Sequence, residues 1–203
     1  MGCTCGRCTL KKLETLKFYF PRVELLRHFQ WNSLSLSHFR FTVGRHVKRI
    51  MSRVPLDVEF ELERWERSLK YINGVGVPRD IKMVLQHATA FFLDRHATFK
   101  KLSNFGIQNM EKLKCIVMGE CNELQVIIDE ADGYEGDDSN ENVSKSYGTE
   151  KIVLGSLEYL FVYYMKSLRS IWEGSVQQNS LFLLKSFTLR TSPVDHYFHT
   201  RVF

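Results

Sequence analysis

One spacing of apolar residues recurs along the chain and constrains its fold more than any other feature. The template L-x-x-L-x-L-x-x-C-x-x-L-x-x-I occurs twice in the second half of the 203 residues. The first copy contains Leu113, Ile116, Met118, Cys121, Leu124 and Ile127. The second contains Leu157, Leu160, Val162, Met165, Leu168 and Ile171. A weaker third copy contains Leu184, Phe187 and Leu189, with Ser192 at the Cys position. Such self-similarity predicts a fold built from stacked structural repeats.

Looser copies of the L-x-x-L-x-L core precede these. The middle anchors of all copies are Leu16, Phe39, Leu69, Phe91, Ile116, Leu160 and Phe187. The gaps between successive anchors are 23, 30, 22, 25, 44 and 27 residues. All but two gaps fall within the roughly 20–29 residues of a leucine-rich repeat. Removing residues 130–149 reduces the gap of 44 residues to 24, so this stretch is predicted to be an insertion between two repeats.

The template has a direct physical meaning. Apolar residues that alternate in L-x-L point to one side of a short strand. Each unit buries only one face, so it must stack on its neighbours to exclude water. We therefore predict an α/β leucine-rich-repeat solenoid, with parallel strands on a concave face and irregular helices and loops on a convex face. Convex helices are expected where Phe99, Leu102, Met110 and Leu113 follow a helical spacing, and over Ile81 to His87 after Pro78.

The pattern also divides the chain. Residues 1–8 form a Cys-rich N-terminal tail, residues 9–194 the irregular repeats with an acidic loop at 130–149, and residues 195–203 a C-terminal tail that leaves the pattern. The stretch Asp129 to Glu150 holds eight acids and one base, whereas the rest of the chain holds 27 bases and 15 acids. A basic body favours a solvated surface, with a nucleic-acid or phospholipid partner as the alternative.

Other features predict the compartment. No apolar run approaches the ~18 residues needed to cross a bilayer. No secretory signal is visible, and five cysteines without one favour reduced thiols. These observations predict a cytoplasmic protein. Palmitoylation of Cys3 or Cys5 would add a peripheral membrane contact, because Arg7, Lys11 and Lys12 lie nearby.

The sequence gives only weak indications of a catalytic, redox or metal site. Cys5 and Cys8 form a C-x-x-C pair, but a redox dithiol needs a preceding strand and a structural zinc site needs four ligands. His196 and His199 have no identifiable third metal ligand. No Ser/His/Asp or Cys/His arrangement stands out, so we expect no enzyme activity, no cofactor and no metal.

Two runs resemble the C-terminal leucine-rich repeats of plant coiled-coil nucleotide-binding disease-resistance proteins. They are FGIQNMEKLKCIVMGECNELQVIID (105–129) and LEYLFVYYMKSLRSIWEG (157–174). Upstream, FTVGRHVKRI and ELERWERSLKYINGVGVP are similar to the irregular repeats of one expanded subgroup, so the likeness covers about residues 9–190.

The resemblance implies a non-catalytic recognition module of innate immunity that senses a pathogen effector or a modified host protein. In that family the repeats also restrain a neighbouring nucleotide-binding domain. This sequence has no G-x-x-x-x-G-K-[ST] P-loop, so nucleotide binding is not carried over. The chain is then the repeat region of such a receptor, or a truncated fragment of one. The alternatives are a basic module that binds phosphate in nucleic acid or phosphoinositide, and a non-functional truncated product.

The predicted binding surface follows from strand geometry, because residues between the buried L-x-L positions project from the concave sheet. The expected partner-binding residues are Tyr159, Phe161, Tyr163, Thr188, Arg190, Arg40 and Thr42. Exposed aromatic and Arg side chains are typical anchors of protein interfaces. The alternative is that the aromatic rings pack on neighbouring repeats or on the acidic loop. The basic run from Arg40 to Arg53 is expected to form a solvated or phosphate-attracting rim, with nucleic-acid binding as the alternative, and Phe39 and Phe41 are expected to be buried.

Overall fold

The computed structural model describes residues 13–28, 37–44, 54–129, 153–174 and 180–190, and the backbone of 198–199. The strands are β1 Thr15–Phe20, β2 His38–Val43, β3 Arg67–Ile72, β4 Ala90–Asp94, β5 Cys115–Gly119, β6 Val126–Asp129, β7 Tyr159–Tyr163, β8 Ser170–Glu173, β9 Ser186–Arg190 and β10 Phe198–His199. The α-helices are α1 Leu25–His28, α2 Leu56–Glu61 and α3 Arg79–Leu85. Among the described residues, 3-10 helices span Leu62–Arg64, Leu102–Phe105 and Ile107–Asn109.

The main sheet contains seven parallel strands that follow one another in chain order. Its order is β1-β2-β3-β4-β5-β7-β9, and β10 closes the far edge by pairing antiparallel with β9. Strands β6 and β8 form a separate two-stranded parallel sheet. The predicted mixed α/β class with a parallel sheet is confirmed.

The strand register places most of the template positions side by side. Leu69 lies opposite Phe91, Phe91 opposite Ile116, Ile116 opposite Leu160, and Leu160 opposite Phe187. The predicted alignment of Leu16 with Phe39 is confirmed, but that of Phe39 with Leu69 was wrong by two residues. Leu69 pairs with Phe41, which in turn pairs with Phe18. A shift of two residues keeps every side chain on the same face, so the apolar pattern alone could not detect it.

The main hydrophobic core lies on one face of the sheet, which we call the core face. Its buried strand residues include Phe39, Phe41, Leu69, Tyr71, Phe91, Leu93, Ile116, Met118, Leu160 and Val162. Helix α3 packs on this core through Ile81, Val84 and Leu85. This helix confirms the prediction made for Ile81 to His87.

The longer convex helix predicted between Phe99 and Leu113 is wrong. The chain forms two 3-10 helices there, separated by Gly106 with a φ of 83°. This left-handed backbone ends a helix, and a Cβ at Gly106 would lie 2.5 Å from Asn109 Nδ2. Phe99, Leu102, Met110 and Leu113 are nevertheless all buried in the main core, so their spacing identified core positions but not the local structure.

A residue with a left-handed backbone follows each of four parallel strands. Asn73, Arg95, Glu120 and Tyr164 follow β3, β4, β5 and β7, and each has a φ between 49° and 56°. The N–H of Arg95 donates to the Gly119 carbonyl at 2.8 Å, and that of Glu120 donates to the Tyr163 carbonyl at 3.0 Å. Each left-handed residue therefore ties its strand to the end of the next one.

Several predicted features lie outside the described residues. They are the Cys-rich tail at 1–8, the acidic loop at 130–149, the basic residues 45–53, and all of the C-terminal tail except the backbone of β10. Asp129, the first acid of the acidic stretch, is described at the end of β6, where its carboxylate pairs with Lys101. In the described part of the chain, no helix is both long enough and apolar enough to cross a membrane.

Candidate protein-binding face

The face of the main sheet opposite the core face carries the residues between the template positions. Paired residues on neighbouring strands form two rows across it. One row is Lys17, Arg40, Ser68, Ala90, Cys115, Tyr159 and Ser186. The next is Tyr19, Thr42, Lys70, Phe92, Val117, Phe161 and Thr188. We call this surface the α2 face, because α2 lies on it.

A segment that the sequence analysis missed covers the middle of the α2 face. This α2 segment, residues 54–64, buries Val54, Val58 and Leu62. They pack in a second hydrophobic cluster with Ala90, Phe92, Cys115, Val117 and Tyr163. The signal was present, because Val54, Val58 and Leu62 follow the i, i+4, i+8 spacing of one helix face. It was overlooked because the segment contains no complete L-x-x-L-x-L core.

Polar contacts fasten the α2 segment beside the cluster. Glu59 accepts a hydrogen bond from Lys70 Nζ at 2.8 Å, and the same ammonium lies 5.4 Å from the centre of the Phe92 ring. The Arg40 guanidinium donates to the Glu63 carbonyl. These contacts join the segment to β2 and β3, the two strands that flank it in sequence.

The α2 segment divides the α2 face into two halves. The basic half comprises Lys17, Tyr19, Arg40, Thr42, Ser68 and Lys70. The aromatic half comprises Trp65, Tyr159, Phe161, Tyr163, Thr188 and Arg190. Of the seven partner-binding residues predicted from sequence, Arg40 and Thr42 lie in the basic half and the other five in the aromatic half. They therefore do not form one uninterrupted surface.

The aromatic half is a row of rings beside the second hydrophobic cluster. The Tyr159 and Phe161 rings are stacked, with centroids 6.4 Å apart and planes 9° apart. Trp65 meets Tyr159 edge-on at 6.1 Å. All three side chains are half-buried, so each still offers surface to a partner.

Tyr163 does not offer such a surface. Its side chain is only 2% exposed, within the second hydrophobic cluster, so the expectation that it would be exposed is wrong. The guanidinium of Arg190 lies 5.9 Å from the centre of the Tyr163 ring, a distance at which the cation and the ring attract each other. Arg190 and Thr188 are half-buried at the edge of the aromatic half.

A charged group borders the aromatic half next to Tyr159. Glu158 lies 2.7 Å from Lys185 Nζ and 3.8 Å from Lys114 Nζ. The hydrogen bond from Lys185, helped by the charges of both lysines, lowers the pKa of Glu158 below its usual value. The carboxylate thus stays ionised at neutral pH, and it holds two bases beside the rings.

The basic half forms a groove of about 340 Å³ against the wall of the α2 segment. Lys17 and Arg40 lie directly opposite each other on β1 and β2. The hydroxyl-bearing residues Tyr19, Thr42 and Ser68 also line the groove. Cations surrounded by neutral hydroxyl donors suit an anionic ligand.

The described residues offer little for covalent or metal chemistry. Burial raises the pKa of both Cys115 and Cys121 to about 12, so their thiols stay protonated at neutral pH. Within the described ranges, no group of three or more His, Cys, Asp or Glu side chains is placed to hold a metal ion. The α2 face presents rings, cations and hydroxyl groups, which are side chains that can bind a partner.

Comparisons of the chain with protein-family models, with curated proteins and with solved structures found no match.

Proposed function

We propose that the chain is a leucine-rich-repeat solenoid that acts as a non-catalytic protein-recognition module. In this proposal it belongs to a cytoplasmic plant disease-resistance receptor, or is a fragment of one, and contacts a pathogen effector or a host protein. The main support is the sheet, whose parallel strands follow chain order with apolar positions aligned from Phe41 to Phe187. Stacked repeats of this kind give extended surfaces for partners.

The aromatic half is the proposed contact surface. Stacked, half-buried rings contribute a large contact area at low conformational cost, and aromatic residues and Arg dominate interface energies. Tyr159, Phe161 and Arg190 supply these residue types within one patch. Tyr163 is buried in the second hydrophobic cluster, so it is not among the proposed contact residues.

A basic phosphate-binding module is the second candidate, because the basic half gathers Lys17, Arg40 and Lys70 along one groove. The dependence of the affinity on salt concentration distinguishes the two candidate functions. A complex driven by phosphate contacts weakens steeply between about 50 and 200 mM salt. A complex centred on aromatic rings changes little over the same range.

The proposed function is tested by affinity capture from plant tissue with the full chain and a Tyr159→Ala, Phe161→Ala double variant. The matched control is Phe182→Ala, which removes a ring that is 75% exposed outside the α2 face. We expect the double variant to lose specific partners that the wild type and the control retain. Capture of the same proteins in equal amounts by all three would contradict the aromatic half as the contact surface.

The hypothesis that the chain is a non-functional truncated product is tested separately by urea denaturation. A functional module unfolds in one cooperative transition as a soluble monomer. A broad, non-cooperative transition, or aggregation of the isolated chain, would favour the truncated product.

A further inference from the structure

We propose that the basic half binds a short acidic segment of a protein partner. The inference rests on the protein-recognition function proposed above, and it names the chemistry of one part of the partner. It concerns a different half of the α2 face from the aromatic rings.

The first argument is the placement of like charges. Lys17 and Arg40 are direct partners in the β1–β2 register, on the same face of the sheet. Neighbouring strands are about 4.8 Å apart, and like charges that lie directly opposite each other destabilise a sheet. An anion bound between the two side chains would relieve this repulsion.

The second argument is the composition of the groove. Tyr19, Thr42 and Ser68 add hydroxyl groups to its cations, and among the described residues that line it Glu63 is the only acid. Lys70 is neutralised by Glu59, and Arg40 donates one hydrogen bond to the Glu63 carbonyl. A guanidinium has five N–H donors, so Arg40 retains donors for a carboxylate while its position is held.

The third argument favours a short acidic segment over a continuous polyanion. The α2 segment lines the groove through Leu62 and Glu63. Elsewhere it carries the exposed Asp57, and its other two acids, Glu59 and Glu61, pair with Lys70 and Arg64. A nucleic acid backbone that ran past the groove along this segment would meet Asp57 and Glu63 as like charges. A peptide with two or three consecutive acids is short enough to stay beside Lys17 and Arg40. The ring of Tyr19, which is 50% exposed at the groove, offers a contact for an apolar residue beside those acids.

The test measures fluorescence polarisation of a labelled peptide that carries three consecutive acidic residues followed by Leu. A second peptide replaces each acid by its amide. The full chain is used at about 50 mM salt, where screening is weak. The variants are Lys17→Gln, Arg40→Gln and the double variant, and circular dichroism verifies that each one folds. The matched control is Lys114→Gln, Lys185→Gln, which removes two exposed bases beside the aromatic half.

We expect the acidic peptide to bind at least about tenfold more tightly than its amide counterpart. The double variant should weaken binding about tenfold, each single variant about threefold, and the control less than about twofold. The Lys17→Gln variant keeps the test decisive even if Arg40→Gln unfolds, because Lys17 is exposed.

Equal binding of the two peptides, or unchanged binding by the double variant, would overturn the proposal. Displacement of the peptide by a lower concentration of single-stranded DNA, or of phosphatidylinositol phosphate vesicles, would also overturn it in favour of that ligand. None of these results affects the aromatic half. Conversely, Tyr159→Ala, Phe161→Ala should leave peptide binding intact, so the two proposals can fail independently.

Discussion

The Nε2 atom of His96 lies 2.7 Å from the carbonyl oxygen of Gly76, which belongs to the loop after the preceding strand. The Thr98 backbone N–H donates to the other ring nitrogen, Nδ1, at 3.3 Å. Nδ1 is therefore the acceptor and Nε2 carries the proton, so the imidazole is neutral. The ring is 1% exposed and packs edge-on against Tyr71, Phe99 and Phe105.

This arrangement predicts that acid destabilises the fold through His96. Burial lowers the pKa of His96 below its ordinary value of 6.5, although the hydrogen bond to Gly76 opposes the effect. The unfolded chain then binds more protons than the folded one at pH values between the folded pKa and 6.5. The stability that neutral His96 contributes is fully present above pH 6.5, and it is lost as the pH falls toward the pKa of His96 in the folded chain.

The measurement is the free energy of unfolding in urea between about pH 7.5 and 5. His96→Gln removes the titrating ring, so the variant should lose less stability than the wild type over this range, whatever its stability at neutral pH. Parallel pH profiles for the two proteins would show that His96 is not the responsible group.

Gly44, directly after β2, is predicted to be intolerant of a side chain. Its φ is 103°, and a Cβ would lie 1.9 Å from the Ile72 carbonyl oxygen, so backbone would have to move. We expect Gly44→Ala to destabilise the chain by about 3 kcal/mol or more. Gly76→Ala is the control, because its φ is 68° but no atom lies within 4 Å of the added Cβ.

Gly76→Ala should lower the free energy of unfolding only by the strain of a left-handed backbone, roughly 1 to 2 kcal/mol. Urea denaturation of both variants measures the difference. Equal losses would mean that conformational strain, and not the close approach to Ile72, sets the cost at Gly44.

The sequence predicted the sheet because each strand has to bury one apolar face. The repeated copies at Ile116 and Leu160 identified neighbouring strands correctly. The second repeat was misaligned with the third, because Phe39 and Phe41 are both apolar, lie on the same face, and could each serve as the partner of Leu69. A period of two residues fixes the face but not the register.

The candidate site was harder to predict than the fold, because it depends on what covers the sheet. Alternation correctly put Tyr159, Phe161 and Tyr163 on the same face. It could not show that Tyr163 is buried, because that depends on the α2 segment, an insertion between β2 and β3. The separation of Arg40 from the rings has the same cause.

The two thiols described in the structure are predicted to resist labelling in the native state. With a pKa of about 12 for both Cys115 and Cys121, about one thiol in ten thousand is ionised at pH 8. In a background with Cys3→Ser, Cys5→Ser and Cys8→Ser, a disulfide reagent should react only after unfolding in urea. Reaction of either thiol in native buffer at the rate seen in urea would contradict their burial.

The same reaction reports whether the α2 segment covers the middle of the α2 face. Leu62 is 1% exposed in the cluster that contains Cys115, whereas Cys121 lies in the main core. Leu62→Ala should therefore cost about 2 to 5 kcal/mol of stability. It should also accelerate labelling of Cys115 more than labelling of Cys121, as measured by mass spectrometry of the labelled peptides.

Leu56→Ala provides the control in the same segment, because Leu56 is 58% exposed. Substitution at such a surface position changes stability by about 0.5 kcal/mol or less, so it should leave both labelling rates unchanged. If Leu62→Ala accelerated Cys115 and Cys121 equally, the variant would be exposing both thiols by global unfolding. The α2 segment would then unfold together with the main sheet and not separately from it.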